Sequence, residues 1–106
     1  MHSSHDIFIA AIHSKNKLLL SFYSKEDGEI IVRTCAPMDF APSSRAKNKD
    51  DRYHFWDYDS DKERHTLSLL PDQVISIEKL DDGFEPAEFV TWATKWVILR
   101  DWGQYS

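Results

Sequence analysis

Tyr53-His54-Phe55-Trp56-Asp57-Tyr58, then Arg64-His65-Thr66-Leu67-Ser68-Leu69-Leu70 and Val74-Ile75-Ser76-Ile77-Glu78, is the stretch whose reading decides the fold. Its first two runs are short alternating segments, the period of a half-buried strand. The polar residues Asp59-Ser60-Asp61-Lys62-Glu63 between them make the pair an antiparallel hairpin. A third strand follows at once, over 73–80, after a tight bend at Pro71-Asp72.

Working outward, Ser3 with Asp6 resembles a capping box, and Ile7, Phe8, Ala11 and Ile12 recur at helical spacing, which predicts a short helix over 6–14. Lys17 to Tyr23 reads as a strand. The Asp27-Gly28 turn signal joins it to a second strand, Glu29 to Ala36, rich in the β-branched residues Ile30, Ile31, Val32 and Thr34. Pro37, lacking a donor for a ladder, is expected to end that strand, and a loop of about 14 residues then runs to Asp51. Beyond Asp81-Asp82-Gly83, Pro86 stands where a first helical residue would, with acids around it. Phe89, Trp92, Ala93, Trp96 and Leu99 follow at helical spacing, which predicts a second helix within 84–102, over 86–99. Leu20, Phe22, Val32, Phe55, Leu67, Leu69 and Ile77 are the expected core.

Helix, five antiparallel strands, helix: through its first six elements this order resembles the WYL domain, an Sm-like small β-barrel that senses ligands. The similarity covers residues 6–80. It runs through Ala11-Ile12, Leu20-x-Phe22-Tyr23, Asp27-Gly28 and Arg33-Thr34-Cys35-Ala36-Pro37, which looks like the family's Arg-x-x-x-Pro segment. Tyr53-His54-Phe55 stands where Trp-Tyr-Leu would be, with Trp56 and Tyr58 following. Gln73-Val74 replaces the family's Arg-Ile near the last strand, so a basic ligand contact is lost there. The resemblance implies a five-stranded antiparallel barrel behind a short N-terminal helix; with the C-terminal helix read from spacing, the expected fold is mainly β, in a single domain over 1–106. It also implies a sensing module that binds a nucleotide or single-stranded nucleic acid through a basic, aromatic face.

Length and composition agree with one globular unit. The 106 residues are 42% hydrophobic and 13% aromatic, and no apolar run approaches the roughly 18 residues a membrane span needs. The start lacks the basic region of a signal peptide, and the single cysteine, Cys35, excludes an internal disulfide, so a cytoplasmic protein with no membrane partner is expected. A net charge of −5 repels polyanions over the surface as a whole. Yet Arg45, Lys47, Lys49 and Arg52 cluster, while Glu78, Asp81, Asp82, Glu85 and Glu88 crowd the later part.

Several patterns point to chemistry and fail. Asp57-x-Asp59-x-Asp61 begins like a calcium loop, but Lys62 replaces the required glycine and Ser68 the closing glutamate, leaving a solvated turn. The five histidines have no partners at zinc spacing. Neither a phosphate-cradling glycine loop nor a nucleophile elbow is present, so no enzyme activity, catalytic residue, metal or cofactor is expected.

The aromatic stripe is what remains. With Tyr53 and Phe55 pointing inward, the opposite parity puts His54, Trp56 and Tyr58 on one face, flanked by Arg52 and Arg64, with Arg33 brought close by the barrel order. These six are the candidate ligand-binding residues, suited to stacking on bases and to phosphate contacts. Two alternatives stand beside this reading: the C-terminal helix covers the stripe with Trp92 and Trp96, or that Trp-rich helix is itself a surface for a protein partner or a homodimer.

Overall fold

The structure is a computed structural model that describes residues 4–43, 50–59, 66–92 and 94–106. It consists of helix α1 (His5–Ser14) and five strands: β1 (Asn16–Ser24), β2 (Glu29–Pro42), β3 (Asp51–Asp57), β4 (Thr66–Leu69) and β5 (Val74–Gly83). The strands form one sheet in the order β4-β3-β2-β1-β5, and every neighbouring pair is antiparallel.

Local sequence accounts for each element. Phe8, Ala11 and Ile12 form the buried side of α1, and Lys15 ends it in the left-handed region, its N–H returning to the Ala11 carbonyl. Gly28, at φ 68°, closes the first hairpin by donating to the Ser24 carbonyl (2.8 Å), a conformation that suits a residue without Cβ. Gly83 serves a different purpose: a Cβ there would lie 3.2 Å from the Lys15 carbonyl oxygen, the same oxygen that accepts from Phe84 N–H. The end of α1 is thereby tied to the end of β5.

Directly opposed residues of an antiparallel pair point to the same face, so the register sorts the side chains. Leu18, Leu20 and Phe22 of β1, Cys35 of β2 and Tyr53 and Phe55 of β3 are buried on the core side, beneath Phe8 and Ile12 of α1. Tyr53 and Phe55 meet Phe8 edge to face at centroid distances of 4.9 and 5.3 Å. Leu20, Phe22, Phe55, Leu69 and Ile77 are core residues as expected, while Leu67 is half-buried. Val32 is not: it stands opposite Ser21 on the other face and is 51% exposed.

Three further expectations are corrected. Pro37 does not end β2, which continues to Pro42. The register between β2 and β3 shifts between Pro37 and Asp39, and such an irregularity is where a strand tolerates a missing N–H. The sheet does not close into a barrel. Closure would require β4 and β5 to share a ladder, but β4 has four residues bonded to β3, and β5 is bonded to β1 through two register shifts that bend it. The C-terminal helix is absent. After β5 the chain makes single 3-10 turns at Pro86–Glu88 and Gly103–Tyr105 and is otherwise irregular over its described residues.

That last correction has a physical cause. Val90, Thr91, Val97 and Ile98 are β-branched and Trp92 and Trp96 aromatic, all indifferent helix formers. The residues buried here, Phe84, Phe89, Val90 and Trp102, do not follow the helical spacing on which the expectation rests, and Leu99 is 86% exposed. The N–H groups of Val97 and Ile98 donate to the Asp39 carboxylate (2.9 and 3.0 Å) and not to carbonyls one helical turn back.

Candidate functional site

The parity expected for β3 is present: Tyr53, Phe55 and Asp57 are buried on the core side, and Arg52, His54 and Trp56 occupy the opposite face in half-buried positions, with Tyr58 following. Each has a definite environment. His54 stands opposite Ser68 of β4 and Asp39 of β2. Its Nε2 lies 2.8 Å from the Ala41 carbonyl, which can only accept, so Nε2 carries the hydrogen. In the neutral ring Nδ1 then accepts from the Ser68 hydroxyl, also at 2.8 Å. The imidazole therefore pins three strands together.

Trp56 is stacked on Phe89 (centroids 5.5 Å apart, planes at 16°), and Phe89 is backed by Phe84 and Trp102. The C-terminal segment thus covers one face of the indole, though with Phe89 and not with a helix carrying Trp92 and Trp96. Lys17 Nζ sits 4.5 Å from the Tyr58 ring centre. The Tyr58 hydroxyl is buried and has no hydrogen-bond partner. Burial first, and then the nearby Glu88 carboxylate, hold its proton well above the ordinary range. Arg52 Nε is also buried without a partner.

Arg33 is separated from this group. It stands opposite Leu20, on the core side of the sheet, where its Nε meets the buried Asp57 carboxylate at 3.4 Å. Arg64, Arg45, Lys47 and Lys49 lie outside the described residues. The structure therefore brings together four of the six expected residues. Alternation in the sequence gives no sign that Arg33 and Arg52 belong to different faces, because that depends on the register of two strand pairs.

The same face carries a feature that the sequence does not announce. Asp39, opposite His54, accepts from Val97 N–H, Ile98 N–H and Phe40 N–H and pairs with Arg100 (3.3 Å). The Arg100 guanidinium lies 4.3 and 4.4 Å from the ring centres of Trp96 and Trp102, which meet each other edge to face, and donates to the Met38 and Ile98 carbonyls. Trp102 in turn donates to the Ile12 carbonyl (2.8 Å). An open cleft of about 500 Å³, lined by Ser14, Lys15, Gly83, Phe84, Glu85 and Glu88, borders the Tyr58 end of the face. Among the described residues no group of His, Cys, Asp and Glu is placed to hold a metal ion, and no helix is long and apolar enough to cross a membrane.

Cys35, directly beneath this face, is fully buried, and its thiol is raised above the ordinary 9.0 by burial first and then by the Asp57 and Asp59 charges, with Arg33 opposing. In the unfolded chain the thiol loses its proton near pH 9 while the folded chain keeps it. The folded state then binds more protons, and stability falls as pH rises. The slope for one proton is about 1.4 kcal/mol per pH unit. Cys35→Ala is expected to flatten the wild-type decline above pH 9 by that amount, measured by urea unfolding at successive pH values; an unchanged slope would show that the thiol ionises alike in both states.

Compared with known proteins, the chain matches no family model, no curated protein and no solved structure.

Proposed function

We propose that the chain is a non-enzymatic, WYL-like regulatory module that binds single-stranded nucleic acid along the β3 face bearing Arg52, His54, Trp56 and Tyr58. One observation carries the reading: among the described residues, the two buried side-chain polar atoms that make no hydrogen bond, Arg52 Nε and the Tyr58 hydroxyl, belong to the two ends of this face. A buried donor left unsatisfied costs about 1–3 kcal/mol, which a ligand oxygen would recover. They are six residue steps apart along the chain, at most roughly 20 Å at about 3.3 Å per residue. That distance suits an extended strand of several nucleotides and exceeds the reach of one mononucleotide. Lys17 adds positive charge at the Tyr58 end.

Against a net charge of −5 such binding is weak and salt-sensitive. In a titration of short oligothymidylate at low salt, Arg52→Gln is expected to weaken affinity and reduce the slope of log affinity against log salt by about one. Tyr58→Phe is expected to weaken it by roughly fivefold with the slope unchanged, since it removes a neutral hydrogen bond worth about 1 kcal/mol. Absence of binding up to millimolar oligonucleotide would sink the proposal.

A further inference from the structure

On its β2 side the first hairpin projects beyond β3, while on the other side β5 follows β1 as far as Phe22. β3 meets β2 only from Cys35 onward, and the last contacts on that side are Tyr58 N–H to the Thr34 carbonyl (2.9 Å) and Thr34 N–H to Asp59 Oδ2 (2.6 Å). Thr34 therefore turns its backbone groups away from β1, and with a period of two so do Val32 and Ile30. Among the described residues nothing pairs with them on that side. The edge is apolar on one face: Ile30 is 63% exposed, Val32 51% and Tyr23, opposite Ile30, 43%. Free edges of this kind invite another strand, and proteins blunt them with proline, lysine or very short strands. β4 is short and β5 is bent by its register shifts, whereas from Ile30 to Val32 this edge has no proline, lysine or register shift, its charges being the flanking Glu29 and the inward-facing Arg33.

Its sequence also names the strand that fits. Glu29-Ile30-Ile31-Val32-Arg33 is self-complementary when run antiparallel with Ile31 on a two-fold axis. Ile30 then faces Val32 of the second copy, both with backbone groups turned to the edge, and Glu29 faces Arg33. Moving the register by four residues in either direction sets Glu29 against Glu29 or Arg33 against Arg33, a like-charge opposition that destabilises the pair. We infer that the chain forms a symmetric homodimer in which the free edges of β2 pair antiparallel about Ile31, making one sheet continuous across two copies. The contact is isologous, so it closes at two copies and does not propagate. It uses the β2 backbone beyond Thr34, where Tyr58 N–H makes the last contact from the β3 side, and none of the Arg52, His54 or Trp56 side chains, so its test is separate from the reading proposed for that face.

Sedimentation equilibrium decides it. The apparent mass of the wild-type chain is expected to rise with concentration from 12.4 kDa toward twice that value. Ile30→Lys, at an exposed position that leaves the core intact, is expected to hold it at the monomer with an unchanged circular dichroism spectrum. The register is read by mild oxidation: Ile31→Cys is expected to cross-link to itself, and Ile30→Cys only to Val32→Cys in a mixture of the two. Native Cys35, fully buried, does not compete. A wild-type chain monomeric at millimolar concentration, or a dimer that Ile30→Lys leaves intact, would overturn the inference. Self-linking of Ile30→Cys alone would overturn the register.

Discussion

A chain ending at Gly83 is expected not to fold cooperatively. The segment after β5 has little regular structure, which invites the view that it is an appendage, but its contribution is to the core. Phe84, Phe89, Val90 and Trp102 are each at most 6% exposed and belong to the same cluster as Phe8, Leu20 and Phe55. Burying a side chain of this kind contributes about 1.5–3 kcal/mol, so four of them together rival the whole stability of a domain, about 5–15 kcal/mol. Truncation also uncovers Trp56, Ala36 and Met38 and leaves the Asp39 carboxylate without the Val97 and Ile98 donors. The expected result is loss of near-ultraviolet dichroism and of a sharp melting transition. A truncated chain that melts at the wild-type temperature would show that the segment is dispensable and that the core closes without it.

What the sequence discloses and what it conceals follow from how local each determinant is. Alternation in Tyr53 to Tyr58 and Leu67 to Leu69, the Asp27-Gly28 turn and the spacing of Phe8, Ala11 and Ile12 are local, and α1 and the five strands come out at nearly their observed positions. The parity of β3 is local too, so His54 and Trp56 are read onto the correct face. Val32 fails because its burial depends on what lies over the hairpin, where the described structure puts nothing, and Pro37 because a register shift absorbs the lost donor. The C-terminal segment fails for a stronger reason. Its aromatic spacing fits a helix, but a carboxylate 58 residues away in sequence takes its N–H groups and an arginine packs against two of its tryptophans. The candidate site is legible to the same extent: Arg52, His54, Trp56 and Tyr58 are grouped by strand period, whereas the position of Arg33 and the part played by Asp39 depend on register.

Asp39→Ala is expected to cost about 3–5 kcal/mol, because removing one member of a buried ion pair strands the other. The Arg100 side chain is 1% exposed. Without Asp39 its charge keeps two carbonyls and two indole faces but no counter-charge, while the Val97 and Ile98 N–H groups lose their acceptor. The reverse change is milder. In Arg100→Met the Asp39 carboxylate retains the N–H groups of Phe40, Val97 and Ile98, and methionine packs against Trp96 and Trp102, so about 1–3 kcal/mol is expected. The double substitution should cost less than the sum, since the stranded charge that dominates Asp39→Ala is then gone. pH provides a second test. Burial lowers Arg100 to about 10, with Asp39 opposing that shift, so without Asp39 the value falls further. Above it the folded chain binds fewer protons than the unfolded chain, and the contribution of this group to stability rises with pH. The deficit of Asp39→Ala relative to wild type should therefore shrink between pH 7 and pH 10, measured by urea unfolding of both chains at each pH, and a deficit that stays constant would mean that the stranded arginine charge is not what destabilises the variant.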